Sequence, residues 1–225
     1  MQEKRNFFRR VLFSSFLEKK SAGGKIAYLA VVTALMIAAN TLEFRMMDTQ
    51  FSLTIFLSVL AGIMLGAGSG FFVCMLGDLL GFLYSSWGYM YMIWVGLTVA
   101  TCALISGLVF TFFKPKIKGR IFLQTSLVCV LTFFICTVGI NSTGFYLYNL
   151  GMGFSTAVVE YVSSTFGTGV SYFGYVAYRL IFKLQILNSA LNYALLFIAL
   201  PILGTRLKSV FGDSLGEEKT ENNQK

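Results

Sequence analysis

The stretch YMIWVGLTVATCALISGLVFTFF, Tyr91–Phe113, decides the fold. Its 23 residues carry no charge. A helix that crosses a bilayer needs about 20 mostly apolar residues, so this stretch is long enough to span. Five more apolar runs flank it. Ile26–Leu42, Leu53–Leu65 and Gly70–Tyr84 precede it, and Ile121–Tyr148 and Tyr172–Gly204 come after it. The expected fold class is an all-α membrane protein with six transmembrane helices. The second and third runs are short and joined by Gly66-Ala-Gly-Ser-Gly70, which reads as a tight turn at the membrane boundary. Asn149–Ser171 is rich in Gly, Ser and Thr, with Glu160 its one charge. A re-entrant or interfacial loop is expected there.

Composition supports this class. Of 225 residues 56% are hydrophobic and 12% charged, and the mean hydropathy is +0.72. Soluble domains carry about 25% charged residues. An ordinary soluble enzyme, a disordered chain and a nucleic-acid-binding module are thereby excluded. There is no histidine, which removes Ser-His nucleophilic catalysis and most zinc sites. Cys74, Cys102, Cys129 and Cys136 lie inside apolar runs without CxxC spacing and read as small buried hydrophobes. No metal site and no cofactor are expected.

The net charge of +8 is unevenly placed. With six spans and the N-terminus inside, fifteen of the 18 Lys and Arg fall on cytoplasmic segments. The outer loops hold only Arg45, and Arg179 and Lys183 fall within the sixth run. Such asymmetry is the positive-inside pattern and puts both termini in the cytoplasm. Residues 1–25 read as a basic amphipathic tail lying on the inner leaflet, with no signal cleavage. Residues 26–204 form the membrane domain, and 205–225 a polar cytoplasmic tail.

Small residues recur four apart, hence on one helix face. Gly62, Gly66 and Gly70, and Gly77 and Gly81, read chiefly as close helix packing. Ala30, Ala34 and Ala38 fit internal packing and a docking face for a partner protein equally well.

Charges inside a membrane are costly and mark function. Asp78 lies in the third run, and Arg179 and Lys183 in the sixth. Counting from the outer helix ends puts Asp78 and Arg179 at similar depth, roughly 10 Å down. One reading is a buried Asp78–Arg179 ion pair. The other is an outward-facing cavity where Arg179, joined by Lys183, grips an anionic ligand through its planar fork. Trp87, Gly88, Tyr89, Tyr91 and Trp94 read either as an interfacial aromatic belt or as a stacking wall for a flat ring. Asn141 offers both donor and acceptor to a heterocycle edge, with Thr143 beside it. Asn141-Ser-Thr143 also matches a glycosylation pattern, which so close to lipid is not read as a site. Glu43, Arg45 and Asp48 make a charged outer loop that reads as solvated or as a gate. No P-loop and no HExxH occur, so no enzyme is expected. Besides transport, a structural or signalling membrane protein fits these residues.

The run LAGIMLGAGSG (60–70), the row Gly77-Asp-Leu-Leu-Gly81 and the alanine row of the first helix together resemble the S component of energy-coupling factor (ECF) vitamin transporters. The Asn141/Thr143 cluster and the Arg179-Leu180 pair resemble the folate-specific group most. Two departures are Gly66-Ala67 where that group often has Gly-Pro, and Tyr91-Met-Ile-Trp94 in place of Pro-Gly-Phe-Thr. The resemblance implies a bacterial plasma-membrane subunit that binds a water-soluble vitamin, folate or another heterocycle, from outside. It implies a transmembrane coupling subunit docking on Ala30, Ala34 and Ala38, and two cytoplasmic ATPases that supply the hydrolysis. It implies ligand contacts from Arg179, Asn141, Thr143, Asp78, Tyr89, Trp94 and Lys183. Gly151–Ser171 would form part of a lid.

Overall fold

The computed structural model describes residues 7–42, 44–46, 49–85, 90–115 and 119–206. They are overwhelmingly helical. Two short helices, α1 (Phe7–Leu12) and α2 (Ser15–Glu18), precede α3 (Ala22–Thr41). A three-residue hairpin comes next, β1 (Phe44–Met46) antiparallel to β2 (Thr49–Phe51) with Phe44 opposite Phe51. Then come α4 (Thr54–Leu65), α5 (Ala67–Ser85) and α6 (Ile93–Phe112). A long rod starts as α7 (Arg120–Leu131), winds as a π-helix over Thr132–Ser142 and ends as α8 (Thr143–Met152). Beyond it lie α9 (Thr156–Phe166), α10 (Tyr172–Ala177) with a π-helical turn over Tyr178–Phe182, and α11 (Gln185–Arg206).

Among the described residues five helices are long and apolar enough to cross a membrane: Ala22–Thr41, Ala67–Tyr84, Ile93–Phe112, Arg120–Met152 and Gln185–Gly204. The remaining expected span, Leu53–Leu65, is α4 with 12 residues, roughly 18 Å of helix against a hydrocarbon core of about 30 Å. In apolar surroundings its first N–H groups need partners. Leu53, its N-cap, has no side chain to offer. Asn192 of α11 takes that role. Its Oδ1 accepts from the Phe56 amide at 3.0 Å, and its Nδ2 donates to the Ser52 carbonyl at 2.8 Å. One turn earlier, Asn188 Oδ1 accepts from the Ser52 amide at 3.2 Å.

The glycine rows turn inward. A Cβ on Gly62 would strike the Ala103 carbonyl of α6, and one on Gly107 would lie 2.5 Å from the Ala67 backbone. Gly77 and Gly81 seat Met36 and Asn40 of α3. Close backbone approach at these positions welds α3–α6 into one bundle, as small residues do in apolar surroundings.

Several sequence expectations are corrected. The joint expected over 66–70 narrows to Gly66, which at φ 102° separates α4 from α5, and Ala67–Gly70 are already helical. The N-terminal segment is tied to the bundle. Ser14 N–H donates to the Leu65 carbonyl at 2.8 Å, Ser69 Oγ donates to the Leu12 carbonyl at 2.8 Å, and Leu17 is buried in the bundle. The sixth run is not one helix. It breaks at Lys183-Leu184, where Leu184 holds φ 48°, a left-handed conformation that a branched residue rarely takes. Asn149–Ser171 contains the helix α9, bounded by Gly153 and Gly167 at positive φ. The buried residues Val158, Val162, Tyr175 and Tyr178 pack with Phe145, Tyr146, Phe154 and Tyr161 into a small aromatic cap.

Candidate functional site

Arg179 stands on the π-helical turn just before the break. Its Nε donates to Gln185 Oε1 across the break at 3.2 Å. Its guanidinium carbon sits 4.0 Å from the centre of the Phe145 ring, a cation–π contact. The Tyr175 hydroxyl interacts with it as well. Burial lowers the guanidinium from its ordinary value and Tyr175 opposes that shift; an arginine stays cationic through such a change. Among the described residues no carboxylate pairs with it. The break therefore removes Arg179 and Lys183 from the final membrane helix, Gln185–Gly204.

Phe145 joins the arginine to Trp94. The two rings meet edge to face with centroids 5.7 Å apart, and Tyr148 flanks the indole at the same separation. Trp94 fits there because position 144 is glycine: a Cβ would run into the indole ring. The Trp94 Nε1 donor is buried and unpartnered, and so is the Asn141 Oδ1 acceptor. Asn141 sits one turn before Phe145, near the end of the π-helical stretch. π-Helices are rare and cluster at functional sites. Ser142 Oγ donates to the Thr137 carbonyl, five residues back, at 2.9 Å, which matches the wider winding.

Thr143 is engaged elsewhere, with its Oγ1 2.9 Å from the Tyr172 hydroxyl. Lys183 caps the π-helical turn that carries Arg179. Asp78 does not meet Arg179. Its Oδ1 accepts from Asn40 Nδ2 at 3.1 Å and its Oδ2 from the Tyr91 hydroxyl at 3.0 Å. The expected ion pair is thus corrected: the depth count assumed an unbroken sixth helix. Tyr89, Trp87, Gly88, Glu43 and Asp48 lie outside the described residues, as does everything after Arg206.

The alanine row has a clear placement. Val32, Met36 and Ala39 form the buried stripe of α3, while Ala30, Ala34 and Ala38 are exposed. Ala30 and Ala34 floor a shallow apolar groove of about 480 Å³, walled by Ile26 and Ile37 of α3 and by Phe72 and Leu76 of α5.

Phe145, Tyr175 and Gln185 escaped the sequence reading because aromatic and amide residues abound here. Only the 179/185 break and the π winding bring them to Arg179. Among the described residues no three His, Cys, Asp or Glu side chains group as metal ligands. No protein-family model and no curated protein sequence matches the chain. Fold and site define a bundle of long apolar helices of membrane type, with a cation held against an aromatic cluster.

Proposed function

We propose that this chain is the substrate-binding S component of an ECF-type importer for a water-soluble vitamin, with folate the first candidate. One observation carries the reading. A guanidinium that meets no carboxylate among the described residues lies on the Phe145 ring, the same ring meets Trp94, and the Trp94 indole donor and the Asn141 amide acceptor are buried without partners. Buried polar atoms without partners cost stability, so a ligand that supplies them is favoured. A flat heterocycle bearing a carboxylate would stack against Trp94 and Phe145, complete Trp94 and Asn141, and give Arg179 its anion.

The topology belongs to the same proposal. α4 serves as a sixth, short span, both termini are cytoplasmic, and the bilayer is a bacterial plasma membrane. The count of Lys and Arg favours this orientation. The exposed alanine groove of α3 takes the transmembrane coupling subunit, and two ATPases attached to that subunit supply energy. The chain itself does not hydrolyse ATP.

The test is bound ligand. Purified protein, washed and denatured, is expected to release folate or a related vitamin in near stoichiometric amount by mass spectrometry. A panel of vitamins giving neither recovered ligand nor a thermal shift would overturn the reading.

A further inference from the structure

Asp78 is a buried carboxylate, 4% exposed, that no cation meets among the described residues. Its two hydrogen-bond donors come from two other elements. Asn40 belongs to α3, and its Nδ2 also reaches the Asp78 carbonyl at 3.3 Å. Tyr91 lies one turn before Trp94, at the entry to α6. Two glycines make room for the group. A Cβ on Gly81 would lie 2.8 Å from Asn40 Cβ, and one on Gly96 would lie 2.9 Å from Asp78 Oδ2. The carboxylate is therefore a three-way knot in a dry place, where hydrogen bonds are strong and a lost partner is costly.

The knot joins two surfaces. Asn40 shares one rigid helix with Ala30, Ala34 and Ala38, and that helix buries only a thin stripe. Tyr91 fixes the segment that carries Trp94. We propose that Asp78 is a positioning residue that couples the Tyr91–Trp94 segment to the exposed alanine face of α3. A shift of that segment on ligand entry pulls on Asn40 through the carboxylate. The meaning of Trp94 as part of a ligand site rests on the proposed function; the mechanical link does not.

The chain has two tryptophans, so Trp87→Phe leaves Trp94 as sole reporter. In ligand-free protein in that background, Asp78→Ala and Asn40→Ala are expected to red-shift Trp94 emission and raise its quenching by acrylamide. Neither residue hydrogen-bonds the indole, whose Nε1 has no partner. Asp78→Asn, which can accept from Asn40 and donate to Tyr91, is expected to restore the parent spectrum. Tyr91→Phe, which removes one hydroxyl, serves if Asp78→Ala does not fold. Unchanged emission and quenching in folded Asn40→Ala and Tyr91→Phe overturns the link. In a second arm, a hydrophilic fluorophore is placed on Ala34→Cys; the four native cysteines are buried. Folate is expected to change its spectrum in the parent and not in Asp78→Ala. An unchanged response in Asp78→Ala also overturns the link. Folate that alters neither Trp94 nor the label in the parent sinks the vitamin reading instead, and the ligand-free arm then decides the link alone.

Discussion

The guanidinium carbon of Arg179 lies over the Phe145 ring, 4.0 Å from its centre, with no carboxylate partner among the described residues. A cation held this way is oriented but not neutralised, which is the state an anion-binding residue needs before ligand arrives. Arg179→Ala is expected to weaken folate binding more than tenfold while the protein stays folded. Arg179→Lys keeps the charge and loses the planar fork, so a similar loss is expected. Titration calorimetry on both variants checks this, and unchanged affinity in both would remove Arg179 from the site.

Trp94 separates ligand binding from stability. Its Nε1 donor has no partner, so Trp94→Phe removes an unsatisfied group and most of the ring contact survives. The melting temperature of ligand-free protein is expected to stay level or rise. Folate affinity is expected to fall. A variant that melts lower and binds normally would mean the indole N–H serves the fold alone.

Asn192 tests the short helix. It is 1% exposed and supplies both an acceptor for Phe56 and a donor for Ser52. Asn192→Leu keeps the volume and strands both groups. A destabilisation of about 1–3 kcal/mol is expected, read from thermal or denaturant unfolding in detergent. Stability equal to the parent would show that α4 finds its cap elsewhere.

Ala34 tests the docking face. The residue is exposed on the floor of the α3 groove, so Ala34→Trp fills the groove without disturbing the bundle. Co-purification with a coupling subunit is expected to be lost and folate binding retained. A complex that still forms would move docking to another face.

Much of the architecture was legible in particular residues. The uncharged run Tyr91–Phe113 reappears as α6, Ile93–Phe112, because length and apolarity alone set a spanning helix. Gly62, Gly77 and Gly81 announced tight packing, and their missing side chains do face neighbouring helices. The side of the alanine row was not legible. A helix that is apolar all round gives no contrast between lipid and protein, so only the placement of Val32, Met36 and Ala39 against the bundle turns Ala34 outward.

The division between chain and fold is sharpest at the site. Sequence by itself determined that the chain is helical, apolar and poor in charge, and that Asp78, Arg179 and Lys183 are its exceptional residues. Those properties are additive along the chain. Tertiary structure decided the partners. The break at Leu184, φ 48°, takes Arg179 out of the final membrane helix on which its depth was counted. The π winding of Thr132–Ser142 turns Asn141 by an amount that a spacing of 3.6 cannot predict; each extra residue rotates the remainder of the helix by about 100°. A partner is a matter of direction, and direction accumulates from every irregular turn before it.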